Sequence, residues 1–289
     1  MASNLQRAAG KIEKLFVDTK QTVFTSKDMR EILSENREKW RLPQSVTLTD
    51  FLDLLTSQIG LRQIELKSET YPSTARLLWK NPSPFEVALS LKPASYLSHG
   101  TAVFLHSLSD EIPKTIYVNQ EQRPKTTKGV LSQDRLDFAF SRSQRMSNAV
   151  FVFDRQRIVV LSGKNTGRLE VGSIEGPKGE ILPVTKAERT LIDIIVRPAY
   201  AGGVLQVLEA YRRAKDLLSV NVLIATLKKM DFLYPYHQAI GFVMQRVGYE
   251  EHRYSPLQAL GLDFDFYLTH GMKNPQYNSD WRLFFPQGM

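Results

Sequence analysis

A chain of 289 residues, 42% apolar and 24% charged, is long enough for two domains and apolar enough to bury their cores without staples. It has no cysteine, which excludes disulfides, thiolate nucleophiles and cysteine-ligated zinc and fits a reducing cytoplasm. A net charge of +8 favours polyanionic partners, while no apolar run approaches the roughly 18 residues of a membrane span and Met1–Phe16 shows no signal-like stretch.

Residues 1–80 are predicted to form three helices and a hairpin. Leu5, Ala8, Ala9, Ile12, Leu15 and Phe16 recur at helical spacing. Thr25 with Asp28 and Thr47 with Asp50 have the spacing of capping boxes, each opening a further helix. Gly60 is placed to stop the third helix. In Leu61–Lys67, Ile64 and Leu66 alternate with Gln63, Glu65 and Lys67, the pattern of a half-buried strand; Ala75–Lys80 returns after Tyr71-Pro72-Ser73. Three helices followed by a two-stranded ribbon predict a winged helix-turn-helix.

Asn81-Pro82-Ser83-Pro84 marks the expected boundary with a second domain, 81–289. Helices are expected around Phe85–Leu91 and Ser98–Leu108, a strand at Thr115–Asn119 and a polar loop over 120–133. Val150–Phe153 and Ile158–Leu161 flank the turn Asp154–Arg157, and Leu169–Ile174 and Ile181–Val184 flank Gly176–Gly179, so two hairpins are predicted. Thr185 and Glu188 suggest a capping box before Leu191, Ile192 and Ile195. Leu205, Leu208 and Tyr211 share one face of a helix from Val204 to Lys215. Ser219 caps Val222–Met230, and Pro235 starts a helix that runs to Val247, before Gly248. Strands at Phe264–Leu268 and Trp281–Phe285 complete an α+β chain: an N-terminal winged helix-turn-helix followed by a larger mixed α/β domain with antiparallel strands and a C-terminal helical part.

The sequence carries few signatures of catalysis. The five histidines, His99, His106, His237, His252 and His270, form no metal-binding pair at helical spacing, so no metal and no cofactor are expected. Gly163–Gly167 lacks the strand–loop–helix setting of a phosphate loop and reads as a tight turn. Glu65 and Lys67 on a strand, with Asp50 or Asp53 upstream, resemble the metal-holding pattern of nucleases, but both aspartates fall on a predicted helix and strand alternation explains the order equally well. Arg189 and Asp193, one helical turn apart, read as a modest ion pair. The expectation is therefore a non-enzymatic protein, with a partner-binding module and a metal-dependent nuclease as alternatives.

Two cationic regions bear on nucleic acid. In the first, the connection between helices two and three carries Arg37, Lys39, Trp40, Arg41, Gln44 and Ser45, the third helix Thr47 and Thr49, and the ribbon Arg62, Lys67, Arg76 and Lys80. These supply phosphate and base-edge contacts for double-stranded DNA, although Asp50 and Asp53 on the third helix oppose phosphates, and Trp40 has an alternative place in the core. The second runs from Lys114 to Arg168, with eleven Lys or Arg against four acids, which places seven of the eight net charges there. Its candidate patch is Arg123, Lys125, Lys128, Arg142, Arg145, Arg155 and Arg157.

Several segments resemble the AbiEi family of antitoxins, the regulator half of a toxin–antitoxin pair linked to phage resistance. They are Tyr96-Leu97-Ser98-His99-Gly100-Thr101-Ala102 with Leu105-His106, Ile112–Val118, Val184-Thr185 through Glu188–Asp193, Val196-Arg197-Pro198, Tyr200–Val204 with Val207–Ala210, and Tyr234–Gln238. The resemblance implies an N-terminal winged helix that binds and represses its own promoter. It also implies a C-terminal domain that counteracts a nucleotidyltransferase toxin encoded nearby, without a lasting complex.

Overall fold

Leu5, Ala8, Ile12 and Phe16 lie on one side of helix α1 (Asn4–Asp18), and all four are buried. The computed structural model describes residues 4–124 and 129–289. The chain divides into two compact units, one holding residues up to Pro93 together with Ala149–Ile158, the other Ala94–Asn148 and Val159–Met289. The predicted boundary at Asn81–Pro84 thus lies inside the first unit.

After α1 comes β1 (Val23–Phe24), a two-residue strand too short for periodicity to reveal. Thr25 and Asp28 form the predicted capping box of α2 (Ser26–Asn36), and Thr47 and Asp50 form that of α3 (Leu48–Leu54). α3 continues into a π-helical turn, Leu55–Ile59, which Gly60 ends at φ 90°, a conformation glycine adopts without a Cβ penalty. Strands β2 (Arg62–Leu66) and β3 (Thr74–Leu78) pair antiparallel, with Ile64 opposite Arg76, and β3 also pairs with β1, giving the order β1-β3-β2. Helix α4 (Pro84–Leu89) starts at a third capping box, Ser83 with Glu86. Phe16, Phe24, Met29, Phe51 and Leu55 fill the core of this unit. Trp40 is part of it, 4% exposed and 5.8 Å from the Phe51 ring.

The second unit begins with β4 (Tyr96–Leu97), α5 (His99–Leu105) and β5 (Thr115–Glu121). Helix α6 (Gln133–Ser141), missed by periodicity, follows the polar stretch. The chain then passes through the first unit's segment, where β6 (Val150–Phe153) turns through Asp154 and Arg155 into β7 (Gln156–Gly163), a tighter hairpin than the four-residue turn predicted, and β7 re-enters the second unit at Val159. β8 (Val171–Glu175) and β9 (Ile181–Thr185) form the second predicted hairpin. β7, β5, β4, β9 and β8 follow one another across a mixed sheet in which β4 runs parallel to β9 and antiparallel to β5.

Five helices complete this unit: α7 (Ala187–Val196), α8 (Val204–Arg213), α9 (Val220–Met230), α10 (Tyr236–Arg246) and α11 (Glu251–Gln258), the last unpredicted. Two local expectations fail here. Thr185 does not cap α7; it is buried at the end of β9, and its hydroxyl pairs with that of Thr190 at 2.8 Å. Leu205 stays exposed on α8, because Val207, Leu208, Ala210 and Tyr211 face the core instead. The chain ends in a small sheet of β10 (Phe266–Tyr267), β11 (Gln276–Asn278) and β12 (Leu283–Phe285), with β12 central. Buried Gln238 on α10 anchors it by donating to the carbonyls of Phe264 and Trp281 at 2.9 and 2.8 Å. Among the described residues no helix is long and apolar enough to cross a membrane.

Candidate nucleic-acid interface

The connection between α2 and α3 is built around Arg37. Its guanidinium donates to the carbonyls of Pro43 and Val46 at 2.6 and 3.0 Å, so this cation braces the loop instead of fringing it. With the half-buried Arg37 holding two loop carbonyls and Trp40 in the core, the loop is pinned at two points. Lys39, Arg41, Gln44 and Ser45 all remain exposed, Arg41 at φ 55°.

On α3 the acidic character is partly local chemistry. Asp50 accepts from the backbone N–H and hydroxyl of Thr47 at 2.8 and 2.7 Å. Those bonds hold its carboxyl below the ordinary range, with the Thr47 hydroxyl the larger cause. Asp50 and Thr47 are thus engaged in starting the helix. The hydroxyls of Thr56 and Ser57 donate back to the carbonyls of Leu52 and Asp53. Thr49, Asp53 and Gln58 are the remaining exposed polar side chains on this segment.

The ribbon cations divide. Side chains alternate along a strand, so Arg62, Ile64 and Leu66 share one face of β2 and Lys67 emerges on the other. Arg76 is not on the exposed fringe. It is 6% exposed and donates to the Ser90 hydroxyl and carbonyl at 3.0 and 2.8 Å and to the Ala75 carbonyl at 2.7 Å. It joins β3 to the end of α4, and its burial leaves little of the guanidinium facing solvent. Arg62, Lys67 and Lys80 are exposed.

An arm from far along the sequence reaches the same unit. Val152 of β6 and Lys67 exchange backbone hydrogen bonds as an isolated antiparallel bridge, and the Phe151 ring stacks on Tyr71 at 6.3 Å. The two-residue turn sets Val152 opposite Arg157, so Lys67, Val152 and Arg157 lie side by side on one face, all three exposed. Arg155 is exposed at the turn.

The residues of the second patch are divided between the two units. Arg155 and Arg157 belong to the first unit, whereas Arg123, Arg142 and Arg145 belong to the second, and Lys125 and Lys128 lie outside the described residues. Arg142 sits 4.0 Å over the Phe138 ring. Elsewhere in the stretch, Lys164 donates to the Met230 and Asp231 carbonyls and Arg168 to that of Ala94.

The motif residues of the second unit meet in a buried polar web that sequence spacing did not reveal. Glu121 accepts from the Tyr96 hydroxyl at 3.1 Å, from the Thr166 hydroxyl and from the backbone N–H groups of Thr166 and Arg168. Burial works to raise the Glu121 carboxyl, but these donors hold it below its ordinary range. Arg189 donates to Asp193 at 2.8 Å, to the Leu169 carbonyl at 3.0 Å and to Thr166 at 3.2 Å. Apart from the buried Asn119 Oδ1, which has no partner, the web satisfies its own groups and acts as a clasp between sheet and α7. Glu65 and Lys67 stand exposed on their strand, and among the described residues no three His, Asp or Glu gather closely enough to hold a metal ion.

The chain is similar in fold to a solved structure, the crystal structure of the RV2827C protein from Mycobacterium tuberculosis, with a TM-score of 0.57 at 13% identity over 96% of this chain and 91% of that one. That likeness is one of fold. No protein-family model matches the chain, and no curated protein sequence does.

Proposed function

We propose that this chain is a cytoplasmic DNA-binding repressor whose first unit is a winged helix-turn-helix, with α3 as the groove-facing helix and β2–β3 as the wing. The observation that carries this reading is the order α1-β1-α2-α3-β2-β3 with the sheet order β1-β3-β2, which presents one short capped helix beside a ribbon. The exposed Lys39, Arg41, Arg62, Lys67, Lys80, Arg155 and Arg157 supply phosphate contacts around it, and Gln44, Ser45 and Thr49 supply polar groups for base edges or backbone.

The second unit, on this proposal, is an antitoxin domain that opposes a nucleotidyltransferase toxin encoded nearby. Support comes from the AbiEi-like motifs, whose Tyr96, Arg189, Thr190 and Asp193 lie in or beside the buried clasp. Their role is to build the domain that does the opposing.

A gel shift with the upstream promoter at fixed salt tests the first half. The expected result is tighter binding to promoter than to random duplex, and equal affinity at every salt concentration rejects sequence-specific repression. Co-expression with the neighbouring nucleotidyltransferase tests the second half: growth is expected to be restored, and growth arrest despite this chain removes the antitoxin role.

A further inference from the structure

Helix α1 has one face in the core and another whose composition stability does not explain. Arg7, Lys11 and Lys14 follow at spacings of four and three, so they stand within one narrow arc, flanked by Asn4 and Asp18, and all five are exposed. Like charges at this spacing repel each other, and a cation near the helix N-terminus opposes the helix dipole. No carboxylate among the described residues forms an ion pair with Arg7, Lys11 or Lys14.

Gly10 lies at the edge of the same arc. It is mid-helix and exposed, and an added Cβ would meet nothing within 4 Å, so packing does not require a glycine there. A glycine in an exposed helix interior lowers helix stability. What it provides is a low surface where an approaching partner can reach the helix backbone and the cations around it.

We propose that this ridge of α1 is a phosphate-binding surface for the backbone of double-stranded nucleic acid, separate from α3. The chemistry favours a polyphosphate over a protein partner. Protein interfaces are centred on apolar and aromatic anchors, whereas the arc of Arg7, Lys11 and Lys14 holds none, and the exposed Val17 stands singly at its edge. Arg7 to Lys14 spans about 10 Å of helix axis, long enough to follow successive phosphates that recur every ~3.4 Å of duplex axis on one strand. The opposite face of α1 packs on Phe51, Leu54 and Leu55 of the α3 segment, so the ridge points away from α3. It therefore adds contacts that carry no sequence information, on a face the α3 reading does not use.

The test uses the full chain and a random-sequence duplex, with binding followed by fluorescence anisotropy across a salt series. The variant R7Q/K11Q/K14Q is expected to give a log K against log salt slope shallower by about 2.7, three contacts at ~0.9 each. K228Q/K229Q, on the exposed side of α9, serves as control and is expected to leave the slope unchanged. Thermal melting separates binding from folding: removing like charges leaves the variant at least as stable as the parent, whereas a structural role lowers its melting temperature. An unchanged slope, or a parent chain that binds no duplex, overturns the proposal and turns the ridge toward an acidic protein. Promoter preference is read independently, so a chain with a normal α1 effect and no such preference fails the repressor reading alone.

Discussion

Lys67 and Val152 exchange both backbone hydrogen bonds, at 3.3 and 2.8 Å, although one directly follows the ribbon strand β2 and the other lies beyond the whole of the second unit's first segment. The bridge covers part of an edge that would otherwise present unpaired backbone groups. It also delivers Arg155 and Arg157 to the unit that carries the proposed reader.

Charge reversal of the arm follows from this. R155E/R157E in the full chain should weaken binding to promoter and random duplex alike, because phosphate contacts carry no sequence information. Two lost contacts flatten the salt dependence by about 1.8 in log–log slope. The readout is the same anisotropy series, and an unchanged slope would place the arm outside the DNA surface.

That relationship also shows where sequence reading stops. Capping chemistry made α2 and α3 legible, since Thr25 with Asp28 and Thr47 with Asp50 are local signals. Periodicity found α1 and the ribbon for the same reason. The return of residues 149–158 to the first unit depends on a bridge between Lys67 and Val152, which no local pattern encodes. Arg37 and Arg76 look identical in sequence to surface cations; the carbonyls of Pro43 and Val46 engage the first, and that of Ser90 helps hold the second inside. β1 and β4 have two residues each, below the length at which alternation has meaning.

Arg189 and Asp193 were legible as a helical pair but not as a buried one. Their side chains are 4% and 9% exposed. Arg189→Met strands a buried carboxylate and should cost about 3–5 kcal/mol in urea unfolding, against at most ~1 for an exposed pair. The double variant with Asp193→Leu should recover much of that loss, because no buried charge remains. A single-variant loss below ~1 kcal/mol would show that water reaches the pair.

His99 predicts a pH dependence. It is buried at φ 51°, its Nδ1 lies 2.9 Å from the Ser98 hydroxyl, and burial depresses its pKa from 6.5 to about 4. Between those values the unfolded chain binds a proton that the folded chain does not, so stability is complete above pH 6.5 and falls as pH drops toward 4. The loss approaches about 3 kcal/mol, and burial of His237 and His270 acts in the same direction. Thermal melts from pH 7 to 4.5 should show the decline, and His99→Asn, which tolerates the positive φ, should flatten it. A parent chain whose stability stays level over that range removes the buried neutral imidazole from the account.

Two glycines on helices should respond to alanine with opposite signs. Gly241 on α10 lies against the fully buried Trp281, and a Cβ there would come within 2.0 Å of the indole ring. The ring cannot retreat easily, because its Nε1 donates to the Gln245 side chain at 2.6 Å and the Trp281 backbone carbonyl accepts from Gln238. Gly241→Ala should therefore destabilise the second unit by about 1–3 kcal/mol or more, through overpacking. Gly10 on α1 faces open space, and Gly10→Ala should stabilise the first unit by roughly 0.5–1 kcal/mol, through helix propensity alone. Hydrogen exchange resolved by segment reads both: slower exchange in α1 for one variant, faster exchange in α10 and β12 for the other. If Gly10→Ala instead weakens duplex binding while slowing exchange in α1, the glycine is retained for access to the ridge at the expense of helix stability; if neither changes, the position is neutral.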